Sequence, residues 1–354
     1  MAPFPAAAPG GSDLSRDERY SRQVRFAPIG AAGQERLGRA TGVLVGCGAL
    51  GATLADMLVR AGIGRLRIVD RDFVDASNLQ RQTLFEESDA REGLPKAEAA
   101  RRRLLRVNSG VEVEAEVADL DAGSAAGLLA GADLLLDGTD NFATRYLLND
   151  YAVERSVPWV YGGAVGAAGL VLAVLPGESA CLRCVFPEPP PEGSSPTCDT
   201  AGVIAPAVGA VASLQAAAAL QILTGNASAA SRDLRQVDVW EGSVRSIRVE
   251  RREDCPACGE RRFEFLRGER AGSVATLCGR DAIQINPGAD RALDLPSLEA
   301  RLRGAVEILS TNEFLLRFRA EGCEVALFRD GRALVRGSRE ASLARALYSR
   351  FVGD

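Results

Sequence analysis

The chain has 354 residues, 42 Lys and Arg against 47 Asp and Glu, and a formal net charge of -5 with both signs interspersed, which excludes a basic footprint for nucleic acid. It contains no histidine, so His-based triads, imidazole general bases and His-ligated metal sites are all excluded. No run of about 18 uninterrupted apolar residues offers a membrane span, and the start lacks the charged and apolar regions of a signal peptide, which together point to the cytoplasm.

In chain order, residues 1–13 are mostly Ala, Pro and Gly and read as a disordered leader. Short helices are expected over 15–23 and 33–39. A buried strand over 41–45, a helix over 49–61 and a second strand over 65–70 make one βαβ unit. The alternation continues with helix 96–107, strand 111–117, helix 123–129, strand 133–137 and helix 141–155. That pattern predicts an α/β, Rossmann-like doubly wound sheet with nucleotide at the carboxyl ends of its strands. After Pro158 come Gly-rich strands over 159–164 and 169–175, a Pro-rich loop over 187–196, an apolar helix over 206–223, and a hairpin of 235–240 with 244–250. Residues from about 262 form a separate small α+β block: two or three short strands, helix 296–303, a hairpin turning at Arg329-Asp330-Gly331-Arg332, and a final helix 338–351. The expected organisation is a leader over 1–13, a nucleotide domain over 14–260 and a C-terminal domain over 262–354.

Between the first strand and helix lies Gly46-Cys47-Gly48-Ala49-Leu50-Gly51. In G-x-G-x-x-G the first glycine makes the tight turn, the second lets phosphates approach the backbone, and the third allows close helix-strand packing. Asp70 follows about 20 residues on, where a carboxylate accepts hydrogen bonds from ribose hydroxyls. Taken alone, this fits an NAD or FAD oxidoreductase, or glycines that serve only a turn. Arg81 and Lys96 change the balance. A triphosphate uses two cations beyond the nucleotide carboxylate, with Arg81 as a bidentate phosphate clamp and Lys96 as a compact charge for the departing pyrophosphate, whereas hydride transfer does not. Two solvated surface cations are the plain alternative. Asp140, just past the strand 133–137, suits magnesium beside the phosphates, or an ordinary helix cap.

Eight cysteines in a chain of this kind point to metal or catalysis before disulfides. Two Cys-x-x-Cys pairs, Cys181-Leu-Arg-Cys184 and Cys255-Pro-Ala-Cys258, suit a tetrahedral zinc ion on two knuckles. A closed four-thiolate set leaves no open coordination position and is therefore structural; a redox dithiol in either pair is the rival reading. Cys198 sits in a polar stretch ahead of an apolar helix, where a mobile thiol could meet an activated carbonyl, or do nothing. Cys47 reads as packing.

These residues resemble the ubiquitin-activating-enzyme superfamily, specifically its bacterial ThiF/MoeB branch. Arg19-Tyr20-Ser21-Arg22-Gln23, Gly46 to Gly51, Asp70, Asn78-Leu-Gln-Arg-Gln82, Pro95-Lys96, Thr139-Asp140-Asn141, both Cys pairs and Thr197-Cys198-Asp199-Thr200-Ala201-Gly202 occur in that family's order over about 15–260. The resemblance implies an ATP-dependent adenylyltransferase that converts the C-terminal Gly-Gly carboxylate of a ubiquitin-like sulfur carrier into an acyl-adenylate, for thiamine, molybdopterin or a related sulfur transfer. It implies that Asp70 binds ribose, that Asn78, Arg81, Gln82 and Lys96 handle phosphates, and that Asp140 positions magnesium. It also implies a homodimer in which Arg22 enters the partner's ATP site, and a role for Cys198 as a thioester or acyl-disulfide carrier in some members. Residues 262–354 show no rhodanese persulfide loop, so sulfur is expected from a separate cysteine desulfurase or sulfurtransferase. A non-catalytic carrier-binding scaffold is the remaining alternative.

Overall fold

The computed structural model describes residues 16–191, 198–270, 282–285, 293–338 and 340–353. The expected leader over 1–13 and the end of the Pro-rich loop lie outside the described residues.

Eight strands form the main sheet: β1 (Thr41–Val45), β2 (Arg65–Val69), β3 (Glu112–Glu116), β4 (Leu134–Asp137), β5 (Trp159–Val165), β6 (Ala168–Val174), β7 (Leu234–Asp238) and β8 (Ser243–Ile247). Their spatial order is β3-β2-β1-β4-β5-β6-β7-β8. The pairs from β3 to β5 are parallel and those from β5 to β8 antiparallel, so the doubly wound half expected from the sequence continues into an antiparallel extension. β1 and β4 are buried almost throughout and read as unbroken apolar runs because helices cover both faces.

The helix Ala49–Ala61 turns Leu54 and Leu58 inward, fully buried, and packs beside the helix Ala205–Leu223 on the same face of the sheet. Each such leucine contributes about 1.5–3 kcal/mol of burial. The helix Ala205–Leu223 is long and apolar enough to cross a membrane by length and composition, yet half of it is buried against the sheet. It also carries fully buried Gln215, whose Nε2 donates to the carbonyl of Asp137 at 2.8 Å and so ties the helix to the end of β4.

A second, five-stranded antiparallel sheet contains β9 (Ala282–Ile285), β10 (Glu307–Thr311), β11 (Leu315–Ala320), β12 (Cys323–Phe328) and β13 (Ala333–Arg336), in the order β10-β11-β12-β13-β9. The helices Leu295–Leu302 and Ala341–Phe351 pack on it around Phe318, Leu327 and Val335. This corrects the sequence expectation: one described strand, β9, precedes the helix Leu295–Leu302, and a four-stranded meander follows it in place of a single hairpin. The β11–β12 turn runs through Glu321 and Gly322, both at positive φ (50° and 79°), the geometry of a tight two-residue hairpin turn. Between β10 and β11 the side chain of Asn312 accepts from the amides of Phe314 and Leu315 and substitutes for a glycine turn.

Candidate functional site

In this strand order the direction of winding reverses between β1 and β4, and nucleotide crevices form outside the carboxyl ends of such a pair. Gly46, at φ 85°, leaves β1 there, and Gly48 opens the helix Ala49–Ala61. A Cβ on Gly51 would fall 1.9 Å from the Gly46 carbonyl oxygen, so the third glycine is fixed by main chain packed on main chain. A Cβ on Gly48 would meet only Gln82 Nε2, at 3.8 Å, which leaves this backbone open to a ligand. Gly138, directly after β4, completes the packing: its Cβ would lie 2.1 Å from the Gly46 oxygen and 2.8 Å from Gly51 Cα. Gly138 escapes sequence reasoning because the constraint comes from a strand far along the chain. Gly138→Ala is expected to lower unfolding stability in urea by about 3 kcal/mol, since the clash is with backbone that cannot rotate away.

Asp70 is buried at the end of β2. Its two oxygens accept from the amides of Cys47 (2.6 Å) and Asp72 (2.7 Å), which locks the carboxylate beside the glycine turn. Burial pushes its carboxyl up; Lys96 opposes this and Asp72 adds to it. Cys47 itself packs in the core, and burial pushes its thiol up, consistent with packing and not chemistry. Lys96, only 3 % exposed, begins the helix Lys96–Val107 and places Nζ 3.1 Å from Asp72 Oδ2. Between these two points the chain makes a short turn, Ala76–Asn78. Asp75 caps it by accepting from Ser77, and Asn78 Oδ1 accepts from the Asp75 amide. Asn78 thus holds its own turn, and the amides of Arg81 and Gln82 both donate to its carbonyl. Gln82 is buried with Oε1 lacking a partner, a polar atom left over in the crevice wall. Arg81 is half-buried and uses Nη1 on the carbonyl of Ser77.

Asp140 is exposed just beyond Gly138 and Thr139. Two arginines near it belong to no motif in the sequence. Arg71 pairs with both oxygens of Asp119 at 3.0 and 3.2 Å. Burial would pull its guanidinium down, but Asp119, Asp72, Asp140 and Asp70 outweigh this and hold it above its usual range. Arg145, which is buried, donates to the carbonyls of Thr139 (2.7 Å) and Gly162 (3.2 Å), lies 3.3 Å from Asp137 Oδ2, and stacks near Tyr161. Asp137 is fully buried, and burial pushes its carboxyl up. Arg145 thereby fixes the Gly138-Thr139 corner that presents Asp140.

The four thiols of Cys181, Cys184, Cys255 and Cys258 converge within 4.8 Å of one another. Sγ separations of 3.9 Å (Cys181 to Cys184), 3.5 Å (Cys181 to Cys255) and 3.4 Å (Cys184 to Cys258) bracket the roughly 3.8 Å edge of a tetrahedron with 2.3 Å metal-sulfur bonds. The donor set therefore fits a zinc-sized ion, and the pairing of both knuckles in one cluster disfavours separate redox dithiols.

One expected residue stands apart from the crevice. Arg22 lies exposed on the helix Arg16–Val24. Its neighbour Gln23 donates to the carbonyl of Ala61 at 2.9 Å, and Tyr20 covers Gly62, so this helix docks at the far end of the helix Ala49–Ala61, about 20 Å from the glycine turn. Cys198 begins the short helix Cys198–Ala201, anchored to the β5–β6 turn by the bond from the Gly166 amide to the Gly202 carbonyl.

The fold and crevice define a Rossmann-type nucleotide-binding protein with a tetrathiolate site. The ThiF family profile matches residues 20–257, and the chain belongs to this family and is an adenylyltransferase. It is similar to the sulfur carrier protein ThiS adenylyltransferase of Bacillus subtilis (strain 168), 42% identical over 337 residues that cover 95% of this chain and 99% of that protein. The sulfur carrier protein adenylyltransferase of Thermus thermophilus is 42% identical over 248 residues, 69% of this chain and 91% of that one. Among solved structures, E. coli MccB with ATP shares 25% identity and a TM-score of 0.59 over 68% of this chain and 74% of its own. The family match displaces the oxidoreductase alternative.

Proposed function

We propose that this chain uses ATP to adenylate the C-terminal glycine carboxylate of a ubiquitin-like sulfur carrier of the ThiS type. The supporting observation is the likeness to the Bacillus ThiS adenylyltransferase, which extends through the second sheet as well as the nucleotide fold. A carrier carboxylate oxygen attacks the α-phosphorus, forming a C(O)–O–P bond, while the α–β phosphoanhydride breaks and the electron pair leaves with pyrophosphate. The nucleophile is already ionised at neutral pH, so no general base is required and a chain without histidine is chemically sufficient. Catalysis then rests on orientation and charge. Asp70 accepts from the ribose hydroxyls. Gly48 admits the phosphates to the backbone, with Asn78, Arg81 and Gln82 along them and Lys96 at the departing pyrophosphate.

Asp140 would hold magnesium, which draws charge from the triphosphate. Cys181, Cys184, Cys255 and Cys258 would hold zinc, which closes the fold and takes no part in the reaction. Arg22 lies on a helix that docks at the far end of Ala49–Ala61, away from its own crevice, which supports a homodimer in which it reaches the partner's site. Attack of Cys198 on the acyl-adenylate would give a carrier thioester and AMP, ahead of sulfur delivery by a separate donor. The residue ranges 14–260 and 262–354 serve as adenylation unit and appended module.

The test is ATP–pyrophosphate exchange with purified protein and carriers ending in Gly-Gly. Label is expected to enter ATP only when the carrier is present, and to stop when its last glycine is deleted. Carrier-independent exchange, or none with any Gly-Gly carrier, refutes the proposal.

A further inference from the structure

The second sheet does not merely lean on the nucleotide fold. Its side chains seize the loops that carry the phosphate-handling residues. Phe73, between Asp72 and Asp75, is 1 % exposed and leaves the main core to join Ala282, Leu315, Phe328 and Leu334 of the second sheet. Guanidiniums from the two strands on either side of β12 flank its ring: Arg317 on β11, 4.7 Å from the centroid, and Arg336 on β13, 4.4 Å away. Such stacking is favourable for a planar cation on an aromatic face. Arg317 is itself held by Glu324 at 2.7 Å. Arg336 reaches past the ring to Asp75 Oδ2 at 2.9 Å, the carboxylate that caps the turn leading to Asn78, Arg81 and Gln82.

The same sheet grips the other end of the site. Asn312 donates to the carbonyl of Glu92 at 3.0 Å, just ahead of Lys96, and Phe73 bridges backbone to backbone with Pro95. Gln284 on β9 donates to Asp119 at 2.7 Å, the partner of Arg71. Every one of these bonds falls on the strand-carboxyl edge where the crevice lies. Loops of this kind open locally unless packing or hydrogen bonds tie them down, and displacement of reacting groups by about 1 Å costs on the order of a hundredfold in rate.

We infer that the second sheet is a positioning device for the nucleotide site: Arg336 and Arg317, through Phe73 and Asp75, hold the Asn78–Gln82 turn and the start of the Lys96 helix in register with the glycine turn. This rests on the adenylation reading above. None of these four residues touches substrate.

The test compares full-length R336A, R317A and D75N with R319A. Arg319 makes an exposed pair with Glu307 on the same sheet, away from the nucleotide loops, and serves as the control for loss of one ion pair. In carrier-dependent ATP–pyrophosphate exchange, R336A and R317A are expected to lose about ten- to a hundredfold in kcat, with the KM for ATP raised, the KM for carrier unchanged and a melting temperature equal to that of R319A. D75N keeps an oxygen to cap the turn but loses the charge that pairs with Arg336, and it is expected to show the same loss even if R336A folds poorly. Exchange constants in R336A, R317A and D75N equal to those of R319A, with wild type active, overturn the positioning role and leave adenylation standing. An inactive wild type removes both.

Discussion

Lys96→Met is expected to lower carrier-dependent ATP–pyrophosphate exchange by about 10²–10³-fold, equivalent to roughly 3–4 kcal/mol of transition-state stabilisation. The size follows from where the charge sits. Lys96 is buried, so its ammonium is poorly screened, and Asp72 holds it 3.1 Å away beside the locked carboxylate of Asp70. A charge organised before substrate arrives needs no rearrangement when the pyrophosphate begins to leave. Methionine fills the same volume but removes the Lys96 charge from beside Asp72 and Asp70. Some stability is lost with it, on the order of 1–3 kcal/mol for a polar group that loses one hydrogen-bond partner. Separation of the two effects is direct: D72N/K96M restores thermal stability without restoring exchange. Recovery of exchange in the double variant would show that Lys96 acts only as a counterion to Asp72 and has no part in catalysis.

How far the site can be read from sequence depends on whether its constraints are local. Gly46, Gly48 and Gly51 are legible because a strand, a turn and a helix are contiguous there, and Lys96 is legible because a cation opens a helix next to them. Gly138 is not, since the reason for it is the Gly46 carbonyl 2.1 Å from its absent Cβ, brought close by strand order alone. Arg71 and Arg145 carry no motif signal, and their surroundings form only when β2, β4 and β5 assemble and bring Asp119, Asp137 and the carbonyls of Thr139 and Gly162 to them. Gln215 is hidden in an apolar helix for the same reason. The tetrathiolate site announces itself through pair spacing, but the meander of the second sheet does not, because its turns use Asn312 and Glu321-Gly322 where the sequence offers one plain Asp-Gly signal at Asp330-Gly331.

Zinc analysis is expected to return one ion per chain, and Cys255→Ser to destabilise the protein by about 5 kcal/mol or more, in the range reserved for loss of a metal site. The four thiols join two segments far apart in the chain. On one side Cys181 caps the helix Leu182–Val185 and Cys184 lies within it; on the other, Cys255 and Cys258 form a knuckle so tight that a Cβ on Gly259 would lie 2.0 Å from the Glu253 carbonyl. Further ties include the Phe265 amide to Asp150 at 3.1 Å, the ring contact of Phe265 with Tyr146 at 4.9 Å, and buried Arg183 paired with Glu264 at 3.2 Å. With the ion removed by chelator, residues 250–266 should become sensitive to protease while the parallel half of the sheet keeps its protection. Cobalt substitution distinguishes a structural from a catalytic ion, because a closed set of four thiolates leaves ATP and carrier no coordination position. The thiolate-cobalt spectrum is therefore expected to stay unchanged when both are added. A shift in its d–d bands on substrate addition would mean that one cysteine dissociates during turnover, and would move the ion from scaffold to chemistry.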